Sequence, residues 1–118
     1  MKTIVAGSRS ITDLAVVEKA IKDSGLTVTE VVSGAAKGVD RLGEQWASNR
    51  HIPIKRFPAQ WGDKGYGAAY MRNREMAAYA DALVAVWDGR SGGTQHMIET
   101  MQGSGKLVFV SVCSGDQV

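Results

Sequence analysis

The sequence predicts a single three-layer α/β domain, with about five parallel strands in one sheet and helices packed on both faces. A chain of 118 residues has the length of one domain. Along it, short apolar runs alternate with segments of helical periodicity, and the alternation begins and ends with an apolar run. The runs are almost continuously apolar, which is typical of parallel strands that are buried on both faces.

The positions of the elements follow from this alternation. Strands are expected at residues 3–7, 27–33, 52–57, 82–87 and 106–112, and helices at residues 13–25, 38–50, 68–81 and 94–105. Thr12 or Asp13 can cap the first helix, and Gly25 is placed to end it. Pro53 favours an edge position for the third strand, because proline has no N–H for the ladder. The domain is expected to span residues 1–112, followed by a C-terminal tail at residues 113–118.

Composition excludes several classes of function. The 14 basic and 12 acidic residues give a net charge of +2, which is too balanced for a nucleic-acid groove or a membrane surface. Cys113 is the one cysteine, so no internal disulfide forms, and with two histidines it does not make a zinc site. No apolar segment approaches the ~20 residues of a membrane helix. We therefore expect a cytoplasmic protein that uses no metal and no cofactor.

The turn after the first strand, Gly-Ser-Arg-Ser at residues 7–10, has the residue types of an anion site. Gly7 allows the backbone to come close to a ligand, and Ser8 and Ser10 offer hydroxyl groups. Arg9 offers a planar fork of N–H groups for a phosphate or a carboxylate. Taken alone, however, the turn is more typical of an exposed arginine in an ordinary connection.

The turn after the second strand reads Ser-Gly-Ala-Ala-Lys-Gly-Val-Asp at residues 33–40. Gly34 allows a sharp turn, and Gly38 removes a side chain where the next helix begins. The first N–H groups and the dipole of that helix attract an anion, and Lys37 adds a positive charge. Asp40 either complements the helix dipole or accepts ribose hydroxyls. An ordinary strand-to-helix turn with a capping acid is the alternative interpretation.

A third turn of this kind, Asp-Gly-Arg-Ser-Gly-Gly-Thr at residues 88–94, leads into the fourth helix. Its paired glycines allow a backbone nest for an anion, and its threonine can cap the helix or bond a phosphate. Parallel strands place such turns at one edge of the sheet, so their convergence favours a phosphate-bearing ligand. With an arginine and an asparagine of the third helix, the expected ligand-binding residues are Gly7, Ser8, Arg9, Ser33, Gly34, Lys37, Gly38, Asp40, Arg72, Asn73, Asp88, Gly92, Gly93 and Thr94.

Aromatic and apolar side chains on the helices and loops have more than one interpretation. Trp61, Tyr66 and Tyr70 flank the expected site and either stack on a base or pack in the core. His96 is interpreted as a structural residue. A homo-oligomer is expected because the helices offer apolar surface at Trp46, Met97 and Met101.

Three segments together resemble the SLOG superfamily of Rossmann-like domains: IVAGSRS, VVSGAAKGVDRLGEQWA and YMRNREMAAYADALVAVWDGRSGGT. Within it they look like the YspA-like branch of small bacterial and phage proteins, from Met1 to about Val112. The superfamily includes the LONELY GUY phosphoribohydrolases, which cleave the base from a nucleoside monophosphate, together with DNA-processing proteins and sensor domains. The resemblance implies a Rossmann-like fold and a nucleotide or ADP-ribose-like ligand at the strand ends, with Arg72 in the place of the phosphoribohydrolases' arginine.

The sequence departs from the phosphoribohydrolase signature P-G-G-x-G-T-x-x-E at the catalytic acid. It reads SGGTQHMIE from Ser91, so Met97 stands where the glutamate belongs. Glu99 lies two positions further on, about 200° around the helix from Met97. The anion cradle is kept, but the general acid or base is not identified. The candidate catalytic residues are Asp40, Asp88 and Glu99.

Three functions are therefore compared. The first is a non-catalytic domain that binds a nucleotide, an ADP-ribose-like molecule or a cyclic nucleotide signal, as a sensor or a sequestering protein. The second is an N-glycoside hydrolase acting on nucleotides, in which an acid stabilises oxocarbenium-like charge. The third is a nucleic-acid-binding protein, which the near-neutral charge disfavours.

Overall fold

The computed structural model describes residues 1–58 and 67–113, which form one parallel sheet with helices on both faces. The strands are β1 (Lys2–Gly7), β2 (Glu30–Ser33), β3 (Ile54–Arg56), β4 (Ala82–Trp87) and β5 (Leu107–Val112). The helices are α1 (Leu14–Ser24), α2 (Val39–Asn49), α3 (Gly67–Tyr79) and α4 (Gly92–Gly103). The sheet has the order β3-β2-β1-β4-β5, and every pairing in it is parallel. The predicted fold class is confirmed.

The central strands are buried on both faces, which explains their continuous apolar runs. In β1, Ile4 belongs to the core beneath α3 and α4, whereas Val5 belongs to the core beneath α1 and α2. In β4, Leu83 and Val84 divide between the two cores in the same way. Both faces of the central strands therefore need apolar side chains, so the alternation of polar and apolar residues that marks a one-sided sheet does not occur.

The ends of the elements have local causes. Asp13 caps α1 by accepting a hydrogen bond from the Ala15 N–H (3.0 Å), and Gly25 ends the helix in the left-handed region at a φ of 69°. β2 begins at Glu30, later than predicted, because its ladder starts where Glu30 pairs with Lys2 of β1. β3 has three residues and lies at the sheet edge, as Pro53 predicted.

The structure corrects the argument for a homo-oligomer. The side chains that were expected to offer apolar surface, those of Trp46, Met97 and Met101, are no more than 8% exposed. The reason is that α2 and α4 turn these side chains toward the sheet, where they complete the chain's own two cores. Oligomerisation therefore stays a prediction without this support. Within the described residues, no helix has the length and apolar character needed to cross a bilayer.

The C-terminal boundary is described only in part. The Cys113 N–H donates to the Trp87 carbonyl (2.7 Å), so the first residue of the predicted tail is still bonded to the end of β4. The rest of that tail, residues 114–118, lies outside the described residues.

Gly43 allows α2 to lie directly on β1, and this contact can be tested. A Cβ atom at Gly43 would lie 2.7 Å from Val5 Cγ1, closer than carbon atoms pack. We expect Gly43→Ala to lower the free energy of unfolding by about 1–3 kcal/mol, the usual cost of overpacking a core. Gly103→Ala is the matched control, because Gly103 is also helical but has open space around it. Equal stabilities of the two variants in chemical denaturation would contradict the close contact.

Candidate functional site

A cavity of about 420 Å³ opens beyond the carboxyl ends of β1 and β4. These strands are neighbours at the point where the strand order reverses, which is where open α/β sheets bind their ligands. We call this space the first cavity. Its lining residues are Ala6, Gly7, Arg9, Ser10, Ala36, Asp40, Ala69, Arg72, Asn73, Met76, Asp88, Ser91, Gly93, Thr94 and Met97.

Ser8 joins the chain segments that surround the first cavity. Its N–H donates to the Val86 carbonyl (3.1 Å), and its own carbonyl accepts from the Val39 N–H (3.4 Å) at the start of α2. Its Oγ accepts from the Asp88 N–H (2.9 Å). The residue is 1% exposed and does not line the cavity, although the sequence predicted it as a ligand contact. Its hydrogen bonds hold the ends of β1 and β4 and the beginning of α2 together.

Two glycines allow these segments to approach one another. Gly38 has a φ of 78°, and a Cβ atom there would lie 2.5 Å from the Ser8 carbonyl oxygen. At Gly34 a Cβ atom would lie 2.5 Å from Arg72 Nη1 and 2.8 Å from Asp40 Oδ2. Gly38 therefore brings α2 against the first turn, and Gly34 leaves room between a guanidinium and a carboxyl group.

The beginning of α4 borders the first cavity through Ser91, Gly93 and Thr94. Asp88 Oδ1 accepts from the N–H groups of Arg90 (2.8 Å) and Ser91 (2.9 Å), which shapes the turn before the helix. These hydrogen bonds lower the pKa of Asp88, so its carboxylate is charged at neutral pH. The first hydrogen bond of α4 runs from the Gln95 N–H to the Ser91 carbonyl (3.1 Å). The N–H groups of residues 92–94 therefore have no partner within the helix.

Asp40 is a buried acid at the wall of the first cavity. It is 5% exposed, and burial is the main reason why its pKa is raised from 3.8 to about 6. The nearby charge of Glu44 raises the pKa further. A hydrogen bond from the Ala36 N–H (3.2 Å) and the positive charge of Arg72 act in the opposite direction. Asp40 can therefore gain or lose a proton close to neutral pH.

Arg72 spans the space between the sheet edge and α3. Its Nη1 donates to the Gly34 carbonyl (2.8 Å), and its Nε donates to Asn73 Oδ1 (3.1 Å). Burial is the main cause that lowers the pKa of the Arg72 guanidinium. The negative charge of Asp40 raises this pKa, and the positive charge of Arg9 lowers it. An arginine keeps its charge at neutral pH despite such effects. Arg72 therefore places a fixed positive charge in the first cavity.

Asn73 connects α3 to the beginning of α4. Its Nδ2 donates to the Gly93 carbonyl (3.3 Å) and lies 3.1 Å from His96 Nδ1, while its Oδ1 accepts from Arg72. Burial is the main cause that lowers the pKa of His96, so the ring is neutral at pH 7 and its Nδ1 can accept from the amide. The structural role predicted for His96 agrees with this contact.

The structure brings many of the predicted residues together and leaves others outside. Those that line the first cavity are Gly7, Arg9, Asp40, Arg72, Asn73, Asp88, Gly93 and Thr94. Ser33 is buried, where its Oγ donates to Glu44 (2.6 Å) and accepts from the Ala35 N–H (3.0 Å). Lys37 and Gly92 are exposed and do not line the cavity. Glu99 is exposed on α4, where it accepts from the Gln95 side chain (3.2 Å), so it too lies away from the cavity.

Sequence reasoning missed part of the wall. The lining residues not predicted are Ala6, Ala36, Ala69, Met76, Ser91 and Met97, whereas Ser10 also lines the cavity and belongs to the predicted turn at residues 7–10. Helical spacing could have identified two of them, because Ala69 and Met76 lie three or four residues from the Arg72–Asn73 pair on one face of α3. Met97 could have been identified as well, because it stands at the signature position of the missing glutamate.

Of the three aromatic residues expected to flank the site, the structure describes Tyr70. The Tyr70 ring lies 4.3 Å from the His96 ring, between centroids, and does not line the first cavity. Trp61 and Tyr66 lie outside the described residues. Across residues 1–58 and 67–113, no three His, Cys, Asp or Glu side chains are grouped as metal ligands.

Ser8 and Ser10 form a matched pair for testing the joint between the turns. Ser8→Ala removes the acceptor of the half-buried Asp88 N–H, so we expect a loss of about 0.5–1.5 kcal/mol in the free energy of unfolding. Ser10 is exposed and lines the cavity, and Ser10→Ala should leave stability unchanged. Both are measured by chemical denaturation. Equal stabilities would show that the Ser8 hydroxyl does not hold the turns.

Replacing Asp40 tests its burial through the pH dependence of stability. The folded-state pKa of about 6 lies above the ordinary 3.8, so protonation favours folding; this stabilisation is full below pH 3.8 and is lost as the pH rises through 6. The charged form therefore costs about 3 kcal/mol at pH 7.5, since one pKa unit corresponds to about 1.4 kcal/mol. We expect Asp40→Asn to be more stable than the native chain at pH 7.5 and to lose this advantage at pH 4.

The control for this measurement is Asp13→Asn, because asparagine caps a helix as well as aspartate does. Denaturation curves of both variants at pH 7.5 and pH 4 then distinguish the effect of removing a buried charge from the effect of removing an acidic residue in general. If Asp40→Asn were no more stable than the native chain at pH 7.5, the raised pKa would be refuted.

Comparison with known proteins identifies the family. A family model described as YAcAr, the YspA, cpYpsA-related SLOG family, matches residues 1–63, which is just over half of the chain. No curated protein and no solved structure matches. The matched region includes the turns at residues 7–10 and 33–40, whereas α3 and the turn at residues 88–94 lie beyond it. With its parallel sheet and the cavity at its reversal point, this chain belongs to the YspA, cpYpsA-related SLOG family.

Proposed function

We propose that the protein binds a nucleotide-derived, phosphate-bearing ligand in the first cavity, as a sensor or as a sequestering protein. Candidates include a nucleotide, an ADP-ribose-like molecule and a cyclic nucleotide signal. One observation carries the proposal: the N-terminal residues of α4 and two arginines, Arg9 and Arg72, line one cavity at the reversal point of the sheet. Membership of the SLOG family is compatible with such a ligand.

The charges in the first cavity suit a phosphate. Helix N-termini attract anions through their free N–H groups and the helix dipole, and Gly93 and Thr94 line the cavity at such a terminus. Arg9 is exposed, so its guanidinium is free to close on a ligand that enters from solvent. Arg72 adds a charge that is already held in place by Gly34 and Asn73. A phosphate would thus receive both backbone N–H groups and guanidinium groups.

The other walls of the first cavity suit a sugar more than a second charge. Ala69, Met76 and Met97 give one side of the cavity an apolar surface. Asp40 is a buried acceptor for ribose hydroxyls. The mixture of a few polar groups with apolar walls is usual for small-molecule sites.

Binding without cleavage is favoured by the acids of the site. Met97, buried and apolar, occupies the place of the phosphoribohydrolase glutamate. Glu99 is exposed on α4 and Asp88 is engaged in shaping the turn before α4. Asp40 is therefore the one candidate acid that remains for catalysis.

An N-glycoside hydrolase is the second candidate, and one observation favours it. Asp40 has a pKa of about 6 beside a positive charge in the first cavity, which are the properties of a general acid near neutral pH. In its ionised form the same carboxylate would stabilise oxocarbenium-like charge on the ribose. If this candidate is correct, the free base is released from the nucleotide.

A thermal-shift panel of nucleotides, ADP-ribose and cyclic nucleotides tests the proposal. A ligand at a hundred times its Kd adds ~2.7 kcal/mol to the free energy of unfolding. In a domain of this size that raises Tm by roughly 10 °C. We expect Arg9→Ala to remove the shift and Arg90→Ala to keep it, because both arginines are exposed turn residues but only Arg9 of the two lines the cavity.

The outcomes of the panel separate the candidates. No shift with any phosphate-bearing compound, or equal loss in both arginine variants, would overturn ligand binding in the first cavity. Chromatography of the same mixtures shows whether the ligand is cleaved. Intact ligand supports the sensor or sequestering function, whereas free base that disappears in Asp40→Asn supports the hydrolase.

A further inference from the structure

A second cavity, of about 330 Å³, lies beyond the carboxyl end of β3, beside the first. The two cavities share Arg72 as a lining residue. The second cavity is lined by Arg56, Phe57, Pro58, Ala68, Met71, Arg72 and Glu75. A ligand that reaches Arg72 from the first cavity therefore stands at the border of the second.

The arrangement follows from α3, which presents two neighbouring stripes of side chains. One stripe, Ala69, Arg72, Asn73 and Met76, lines the first cavity. The other, Ala68, Met71, Arg72 and Glu75, lines the second. Both have the spacing of one helix face, and they differ by a single residue, so they lie side by side along the helix. Arg72 belongs to both stripes.

Arg72 is able to serve a ligand that crosses this border. A guanidinium has five N–H groups, and two of those of Arg72 donate to Gly34 and Asn73. Among the described residues, the other three have no acceptor. Because the two protein contacts fix the guanidinium plane, the remaining N–H groups are oriented before a ligand arrives.

Four of the seven residues that line the second cavity are apolar, and its charged residues do not suit a second phosphate. Phe57, Pro58 and Met71 form apolar walls, and Met71 is 43% exposed. Phe57 is held in position by Tyr79, with ring centroids 5.6 Å apart. Arg56 is already paired with Glu44 (3.0 Å), and the carboxylate of Glu75 would repel a phosphate. Apolar side chains beside one carboxylate acceptor match a flat heterocycle that carries an amino group.

We propose that the second cavity holds the purine base of a nucleotide whose phosphate lies in the first cavity. The base lies against Met71 and Phe57, and its amino group donates to Glu75. The ribose crosses at Arg72. This inference rests on the proposed function, since it requires a phosphate-bearing ligand in the first cavity.

Calorimetric titration of AMP, ribose 5-phosphate and purine riboside 5′-monophosphate tests the inference. Ribose 5-phosphate lacks the base, and purine riboside 5′-monophosphate lacks the amino group alone. We expect AMP to bind about tenfold tighter than ribose 5-phosphate, as burial of a base predicts. We expect a further preference of about tenfold for AMP over the compound without the amino group, because a hydrogen bond to a carboxylate is lost.

Variants then locate the base. Met71→Ala should weaken AMP about fivefold or more and leave ribose 5-phosphate unchanged, since it removes apolar wall. Glu75→Gln should reduce the preference for the amino group. Both side chains are exposed, so neither variant is expected to disturb folding. Leu107→Ala is the matched control for Met71, because Leu107 is also an exposed apolar residue but borders neither cavity.

The outcomes distinguish failure of the base site in the second cavity from failure of the phosphate site in the first. Equal affinities for AMP and ribose 5-phosphate would overturn the base site and leave the phosphate site intact. If AMP binds tightly and its affinity is unchanged in both Met71→Ala and Glu75→Gln, the base site is also overturned, because the base then lies elsewhere. If neither AMP nor ribose 5-phosphate binds, the base site is overturned, and the thermal-shift panel decides separately whether the first cavity binds another phosphate-bearing ligand.

Discussion

A single buried serine holds together the chain segments from which the first cavity is built. Ser8 bonds to the end of β4 through its N–H and its hydroxyl, and to the beginning of α2 through its carbonyl. Parallel strands bring their carboxyl ends to one edge, but they do not by themselves fix the distances between the turns that follow. The hydrogen bonds of Ser8 fix these distances, and Gly38 makes them attainable because a side chain there would collide with Ser8.

The site departs from the rules that stabilise the rest of the fold. A buried carboxyl group with a raised pKa is costly at neutral pH, and a core residue in the place of Asp40 would remove that cost. Arg72 and Gly34 reduce the cost by supplying a nearby positive charge and the space to hold it. Local exceptions to the usual rules of burial tend to occur at functional sites, which is why Asp40 and Arg72 carry much of the proposed function.

α3 organises both cavities because its inward surface is mixed in character. Met76 and Ala77 pack in the core beneath it, while Asn73 is equally buried and satisfied by polar partners. Asn73 orients Arg72 from below and holds the carbonyl of Gly93, so a residue of α3 controls the geometry of the N-terminus of α4. A buried polar network of this kind is stable only when every member has a partner, and within the described residues no buried side-chain polar atom lacks one.

The sequence alone determined the fold class, the edge position of β3 and the three glycine turns, because these depend on local composition and period. Apolar runs show burial on both faces, and glycines with serines mark the turns that follow. Only the tertiary structure decided which side chains enter the cavity. The Ser8 side chain points inward, where its hydroxyl group accepts a hydrogen bond from the N–H of Asp88, 80 residues away. Met97 enters the wall while Glu99 stays in solvent because α4 is rotated by its packing on the sheet. The Ser8–Asp88 contact joins positions that are distant along the chain, so no local spacing encodes it.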